Sequence, residues 1–186
     1  MTENEIIREV KSRLSEKRFR HTEGCVKMAE KLAEHYGADV ALARRAAWLH
    51  DIAKELPYSE QLALIEREGE ALSDIQRSEK IIHAFSGAII AKKEFGEGDE
   101  VASAIRWHTT AREGMSLLEK IIWISDLTEE GRTFGGVGKI RSIAFSDLSE
   151  ALVLGFDTTL RFLRNGGKEI DENMIKAREF EIAQRG

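Results

Sequence analysis

The sequence is poor in the residues that mark β-rich and secreted proteins. It has one proline, Pro57, one cysteine, Cys25, and few valines and threonines. A sandwich or barrel with many turns needs more of these residues, so the composition favours an all-α chain. A single cysteine excludes an internal disulfide and is consistent with a reducing compartment.

The chain also lacks positive charge in excess and long hydrophobic runs. Its formal net charge is −5, from 28 basic and 33 acidic residues, so the basic excess that is usual in nucleic-acid binders is missing. No apolar run approaches the roughly 18 residues of a membrane span. The charged N-terminus has no signal-peptide pattern. We therefore expect a cytoplasmic protein that binds neither nucleic acid nor membrane, with one domain over residues 1–186.

Apolar residues at helical spacing predict helices along almost the whole chain. One helix is expected from about Arg18 to Tyr36, ending at Gly37. Asp39 is the predicted cap of the next helix, which we expect to continue to Leu56, just before Pro57. A capping box of Ser116 and Glu119 predicts a helix over 116–130. Further helices are predicted over 3–16, 59–68, 82–95, 99–108, 139–145, 147–164 and 171–184.

A histidine and an aspartate close one apolar helical segment, AAWLHD, as His50 and Asp51. Burying a carboxylate without a partner is costly, and a metal ion removes that cost by supplying positive charge. Adjacent residues on a helix point about 100° apart. Both side chains therefore reach one ion only at the helix edge, unless Asp51 bridges two ions.

Asp126 is a second acidic residue in an apolar setting, because it follows the segment IIWIS. It lies either at the surface side of its helix or paired with an inner group. Together with His21, His50 and Asp51 it supplies two imidazoles and two carboxylates. This mixed donor set suits Fe, Mn, Co, Ni or Zn better than Ca or Mg. The lack of ligating cysteines argues against a structural zinc site.

The order His…His-Asp…Asp resembles the HD-domain metal-dependent phosphohydrolases. Five ordered segments resemble the YqeK family of that superfamily more closely, over roughly residues 6 to 180. That family consists of bacterial cytoplasmic proteins that cleave diadenosine tetraphosphate symmetrically into two ADP. The segments are RFRHTEGC, AAWLHDIAKELP, HAFSGA, AIRWHTTAREGMSLLEKIIWISDLTEEGRTFGGV and GGKEIDENMI.

The resemblance implies a helical bundle with the metal site in its core. Its metal and substrate core is expected over about 18–137, with C-terminal helices over 139–184 completing the bundle and the nucleotide pocket. Ala111 stands where a glycine is common in the family. The implied metal ligands are His21, His50, Asp51 and Asp126, with one iron ion expected. His83 and His108 either hold a second ion or face the substrate phosphates.

The implied reaction is hydrolysis of a dinucleoside tetraphosphate by metal-activated water, with Asp51, Lys54 and His83 as catalytic residues. Lys54 follows Asp51 by three residues and is either an anion contact or a solvated lysine. Arg20 is the alternative to Arg18. The implied substrate contacts are Arg18, His21, Lys54, His83, His108, Thr109, Thr110, Asp126, Arg132, and the stretch Ile170, Asp171, Glu172, Asn173 and Met174, which would close over base and ribose.

Other interpretations use the same residues. One is an HD nucleotidase that releases phosphate from nucleoside monophosphates, and another is a nucleotide sensor without catalysis. A homodimer is possible in either case. Gly24 and Gly87 lie inside helical patterns, where glycine is unfavourable by about 1 kcal/mol against alanine. They permit close approach of a neighbouring group, or they reflect plain helix packing.

Overall fold

The computed structural model describes residues 1–185, and over that range it contains ten α-helices and no strand. The all-α fold predicted from the sequence is confirmed. The helices are α1 (Glu3–Arg13), α2 (Glu16–Tyr36), α3 (Val40–Leu49), α4 (Tyr58–Arg67), α5 (Ile82–Lys93), α6 (Asp99–Trp107), α7 (Leu117–Thr128), α8 (Val137–Ile143), α9 (Leu148–Asn165) and α10 (Glu172–Ala183).

Local capping chemistry sets several helix ends where the sequence predicts them. The Ser116 hydroxyl accepts the Glu119 N–H at 3.2 Å, and the Glu119 carboxylate accepts the Ser116 N–H at 2.7 Å. This capping box begins α7 as expected. Gly37 ends α2 in the left-handed conformation, at φ +68°.

The prediction for α3 is wrong at its C-terminal end. The helix ends at Leu49 rather than at Leu56, and tight turns follow, with N–H groups bonded to carbonyls three residues back. The His50 ring gives the physical reason. Its Nδ1 donates to the Ala47 carbonyl at 2.7 Å, and that carbonyl is the acceptor that the Asp51 N–H needs in a continuing α-helix.

The helices surround one main hydrophobic core that extends from Ile6 in α1 to Ala177 in α10. Helix α5 is central, because its residues from Ile82 to Ala91 are all buried. Helix α2 packs against α3 and α7, and α6 packs against α5, α3 and α7. These helices converge around the predicted site. Among the described residues, no helix is long and apolar enough to cross a membrane.

Candidate metal and substrate site

Four of the five histidines meet between the helices. His21 comes from α2, His50 follows α3, His83 lies in α5, and His108 follows α6. Their ring centroids form a chain, with 5.5 Å between His21 and His50, 5.1 Å between His50 and His108, and 5.0 Å between His83 and His108. His35 is exposed and outside this chain. The structure thus gathers the histidines that the sequence singled out.

Two of these rings are held by the helices that they end. His50 Nδ1 donates to the Ala47 carbonyl and His108 Nδ1 to the Ile105 carbonyl, each at 2.7 Å. A carbonyl only accepts, so Nδ1 carries the proton and Nε2 keeps its lone pair. His50 Nε2 is buried and has no hydrogen-bond partner within residues 1–185. Such a lone pair is suited to a metal ion.

Asp51 lies at the centre of the cluster and is 4% exposed. Its Oδ1 lies 3.2 Å from His83 Nε2, and its Oδ2 accepts from Arg18 Nη1 at 3.2 Å. Burial raises the pKa of Asp51, but the imidazoles of His50 and His83 outweigh it and hold the pKa well below its usual value. The group is therefore an ionised carboxylate at neutral pH.

The neighbouring bases are shifted towards their neutral forms. Burial lowers the pKa of His83, and burial together with His83 and His50 lowers the pKa of His108 to about 3. Burial also lowers the pKa of Lys54, whose Nζ donates to His83 Nδ1 at 3.0 Å. Neutral imidazoles are the form in which histidine binds metals.

Asp126 is paired rather than free at the surface, and its side chain is 24% exposed. Its Oδ1 lies 2.9 Å from His21 Nε2 and accepts from Arg132 Nη2 at 2.6 Å. Burial raises the pKa of Asp126, but His21 and Arg132 outweigh it and hold the pKa well below its usual value. Burial lowers the pKa of His21, but Asp126 and Glu129 outweigh it and raise the pKa. The sequence left Asp126 either at the surface side of its helix or paired with an inner group, and in the structure it is paired.

Cys25 is a member of this cluster that was not predicted from the sequence. Cys25 Sγ lies 3.5 Å from His21 Nε2. Ligand atoms of His21, Cys25, His50 and Asp126 all lie within 4.8 Å of one another. The structure thus adds a cysteine beside the predicted ligands. The i, i+4 spacing in HTEGC could have revealed the contact. Burial and then Asp126 raise the pKa of the Cys25 thiol well above its usual value, which favours the neutral thiol over the metal-binding thiolate.

Glu129 is the second functional group that was missed. It is 5% exposed and accepts from His21 Nδ1 at 3.1 Å, although 108 residues separate the two in sequence. A carbon at Gly24 equivalent to a Cβ would lie 2.5 Å from Glu129 Oε2. Close approach is therefore the reason for glycine at position 24. At Gly87 the nearest atoms are at 3.5 Å or more, so ordinary helix packing accounts for that glycine.

His21, His83 and His108 of the cluster lie on one wall of an open cavity of about 1180 Å³. On this wall Arg18 pairs with Asp51, Arg132 pairs with Asp126, and Lys54 contacts His83. Arg20, the alternative to Arg18, also reaches the cavity. The lining residues are Ser15, Glu16, Lys17, Arg18, Arg20, His21, Glu23, Gly24, Lys27, Asp51, Lys54, Glu55, His83, His108, Thr109, Asp126, Glu129, Glu130, Gly131 and Arg132.

The remaining predicted contacts fall in different places. Thr109 lines the cavity, and its Oγ1 is buried without a partner in the described part of the chain. Thr110 is buried and donates to the Ala111 carbonyl at 3.2 Å. The stretch from Ile170 to Met174 is not among the described residues that line the cavity, and Asp171 within it caps α10. Its contact with base and ribose stays a prediction.

The donor set fits a transition-metal ion. Besides the group around Cys25, ligand atoms of His50, Asp51 and His108 lie within 4.8 Å of one another. The two groups share His50, whose buried Nε2 is without a partner among residues 1–185. Imidazole nitrogens beside carboxylate oxygens suit Fe, Mn, Co, Ni and Zn.

Comparison with known proteins agrees with this geometry. The model of the HD domain family matches residues 18–131, which include His21, His50, Asp51 and Asp126. The chain belongs to the HD-domain family. It is accordingly an HD-superfamily hydrolase with a metal-dependent type of site.

Individual relatives cover nearly the whole length of this HD-domain protein. It is 40% identical to the symmetrical bis(5'-nucleosyl)-tetraphosphatase of Bacillus subtilis, over 88% of each chain. It is 39% identical to the protein of the same name from Halalkalibacterium halodurans, again over 88% of each chain. A crystal structure of a predicted HD superfamily hydrolase involved in NAD metabolism from Clostridium acetobutylicum matches with a TM-score of 0.95 and 39% identity, covering 99% of this chain and 98% of the other.

Proposed function

We propose that this HD-domain protein hydrolyses dinucleoside tetraphosphates and cleaves diadenosine tetraphosphate symmetrically into two ADP. The main support for this proposal is that a cluster of imidazoles and carboxylates lies beside a large cavity. The wall of that cavity also carries the cations Arg18, Lys54 and Arg132. Relatives of almost the same length bear the name of this activity, which supports the proposal.

The proposed metal ligands are His21, His50, Asp51 and Asp126, with iron as the resident ion and Mn, Co, Ni or Zn as alternatives. A bound ion of this kind supplies Lewis acidity and lowers the pKa of water towards neutrality. His83 and His108 would hold a second ion, and His83 would then give up its present contacts with His108 and Asp51. His108 already shares a ligand group with His50 and Asp51.

The cationic side chains serve the phosphate chain of the substrate. Arg18 and Arg132 each pair with a carboxylate of the cluster, at 3.2 Å to Asp51 and 2.6 Å to Asp126. Guanidinium groups held in this way are positioned to donate two hydrogen bonds to phosphate oxygens. In the balanced reaction, the oxygen of water joins a central phosphorus and the bridging P–O bond breaks. One ADP leaves, and the phosphoryl group that received the water completes the other.

His83 and Lys54 hold Asp51 in place. Lys54 donates to His83 Nδ1, so His83 Nε2 carries the proton. This Nε2 lies 3.1 Å from His108 Nε2, which keeps its lone pair, and 3.2 Å from Asp51 Oδ1. These contacts, from Lys54 through His83 to Asp51, fix the orientation of the Asp51 carboxylate. They also keep the Lys54 ammonium next to the place where phosphate charge develops, and stabilising that charge is the main task in phosphoryl transfer.

The size of the cavity favours a dinucleotide over a nucleoside monophosphate. Its volume of about 1180 Å³ exceeds the roughly 300–1,000 Å³ that is usual for small-molecule pockets. A monophosphate would leave most of this space to water. The predicted contact of Ile170–Met174 with base and ribose belongs to the same proposal.

The test is product analysis with purified protein loaded with iron or manganese. Incubation with diadenosine tetraphosphate in ¹⁸O-labelled water is expected to give ADP alone, with one label in half of the ADP molecules. Variants His50→Ala and Asp51→Ala are expected to lose this activity. His35→Ala is the matched control, because His35 is exposed and lies outside the cluster.

Other products would overturn parts of the proposal. ATP with AMP would contradict symmetric cleavage. Phosphate release from a nucleoside monophosphate, with the dinucleotide untouched, would favour the nucleotidase. If the protein binds metal and ADP but turns over neither substrate, a sensor role replaces the hydrolase.

A further inference from the structure

His21 differs from His50 and His108 in how its outer ring nitrogen is satisfied. His50 and His108 follow the last residue of a helix, where the carbonyls of the final turn are available to Nδ1. His21 lies inside α2, between Glu16 and Tyr36, where the backbone carbonyls already accept helical N–H groups. Its Nδ1 therefore needs a partner from another part of the chain.

Glu129 supplies that partner from the end of α7. Its Oε1 accepts from His21 Nδ1 at 3.1 Å, while His21 Nε2 faces Asp126 Oδ1 at 2.9 Å. The Glu129 side chain is 6% exposed, its Oε2 accepts the Gly131 N–H at 2.5 Å, and the nearest arginine, Arg132, is 3.9 Å away. A buried carboxylate at the negative end of a helix is unfavourable, so Glu129 is poorly explained by the stability of α7 alone.

The surrounding backbone is shaped to admit this carboxylate. A Cβ at Gly24 would lie 2.5 Å from Glu129 Oε2, and one at Gly131 would lie 3.0 Å from the same atom. Any side chain at position 24 would displace the carboxylate from His21. Two glycines, one on each side, thus leave room for it.

Arg141 fixes the segment that carries Glu129. Its guanidinium donates to the carbonyl of Thr128 at 2.6 Å, to that of Glu129 at 2.9 Å and to that of Arg132 at 3.2 Å. These carbonyls belong to the end of α7 and the loop after it. The position of the Glu129 backbone is therefore set from α8, independently of His21.

We infer that Glu129 is a positioning residue for the metal site: it holds the proton of His21 on Nδ1 and turns Nε2 towards the ion. The inference rests on the proposed metal ligands but not on the identity of the substrate. A carboxylate behind a ligating imidazole fixes the ring orientation and increases its basicity, and its loss typically costs about 10–100-fold in metal affinity.

The test measures metal affinity in the absence of nucleotide. Glu129→Ala, Glu129→Gln and Gly24→Ala are compared with the wild type by competition with a chelator, using cobalt and manganese. We expect Glu129→Ala to bind about 10–100-fold more weakly, and Glu129→Gln to lose less, because its amide oxygen still accepts the Nδ1 proton. The visible absorption of the cobalt-loaded protein is expected to change in Glu129→Ala.

Gly24→Ala separates positioning from mere presence of the carboxylate. Alanine is the better helix former, so this change favours α2 in the metal-free protein. It nevertheless pushes Glu129 away, so metal affinity is expected to fall while Glu129 is intact. The double variant Gly24→Ala/Glu129→Ala is expected to bind no more weakly than Glu129→Ala alone. Gly138→Ala, with open space around its Cβ, and Glu34→Gln, at an exposed position of α2 that does not line the cavity, are the matched controls.

Two results would overturn the inference. One is wild-type metal affinity and an unchanged cobalt spectrum in Glu129→Ala. The other is a loss of affinity in Glu34→Gln as large as in Glu129→Gln. Failure of the proposed hydrolase would show separately, as wild-type protein that binds metal but releases no ADP.

Discussion

The two ends of α7 both carry a carboxylate, buried at Glu119 and partly exposed at Asp126, and the surroundings of the two differ. At the N-terminal end, Glu119 is 1% exposed and has a full set of donors, namely the Ser116 N–H, the Ser103 hydroxyl and two nitrogens of Arg112. At the C-terminal end, Asp126 lies beside a cluster in which His50 Nε2 has no partner among residues 1–185.

The helix dipole makes the contrast sharper. A carboxylate is stabilised at the N-terminal end of a helix and destabilised at the C-terminal end. Glu119 therefore contributes to folding where it stands. Asp126 needs His21, Arg132 and the proposed ion to offset the same field. We call the Glu119 group the closed network, because all its polar atoms have partners, and the cluster around Asp126 the open cluster, because His50 Nε2 has none among residues 1–185. The closed network indicates a structural role and the open cluster a binding site.

The largest expected effect comes from Asp126→Asn. We expect kcat/KM to fall at least about 1000-fold, because a proposed ligand is lost. The free energy of unfolding of the metal-free protein should also fall, because Asp126 loses its charge pairing with His21 and Arg132 and relief of the helix-end repulsion returns at most about 1 kcal/mol. Steady-state kinetics and urea denaturation in chelator test this. Asp157→Asn, which breaks a pair with Arg178, is the control. If the variant retained its activity, Asp126 would have a structural role like that of Glu119 and would not be a metal ligand.

The matching change at the N-terminal end of α7 is Glu119→Gln, which alters the closed network. Removing one partner of a buried ion pair leaves the other without full compensation, so we expect a loss of about 2–3 kcal/mol in the free energy of unfolding. Activity per folded molecule should stay within about threefold. Urea denaturation and kinetics at low temperature measure both. Glu113→Gln, at an exposed neighbouring position, is the control. A large loss of activity in folded protein would break the comparison.

The open cluster should also respond to pH. The pKa of His108 is lowered to about 3, from an ordinary value near 6.5. Its contribution to stability is therefore complete above pH 6.5 and is lost as pH falls from 6.5 towards 3, by about 1.4 kcal/mol per pH unit. His83 acts in the same direction, and His21, with a raised pKa, acts against both.

Thermal melts of metal-free protein at pH 7.5 and pH 5.5 measure this effect. The melting temperature of the wild type is expected to fall more than that of His108→Asn. Asparagine does not titrate, and its side-chain amide can still donate to the Ile105 carbonyl. Equal falls in the two proteins would assign the acid sensitivity to other groups.

The smallest expected effect lies at Ala111, between His108 of the open cluster and Arg112 of the closed network. It is buried and adopts a left-handed backbone at φ +57°, where glycine is favoured. Ala111→Gly relieves this strain but adds freedom to the unfolded chain and removes a buried methyl. We expect a change below about 1 kcal/mol. Ala111→Val should destabilise by more than about 1 kcal/mol, because a β-branched residue tolerates this conformation poorly. Differential scanning calorimetry of both variants tests the order.

The sequence by itself determined the helical fold and the identity of several helix ends. The reason is that capping and periodicity act over about four residues, so Ser116 with Glu119 or Gly37 carries its own information. The ordered motifs around His21, His50, Asp51 and Asp126 further carried a family resemblance that the comparisons confirm.

The tertiary structure alone decided how the site is held. Helix α3 stops at Leu49 because the His50 ring takes the Ala47 carbonyl, a competition that helix propensity does not encode. The contact of His21 with Glu129, across 108 residues, exists only because α2 packs on α7 and Gly24 leaves room. Such contacts depend on the packing of several helices at once, and no local pattern specifies them.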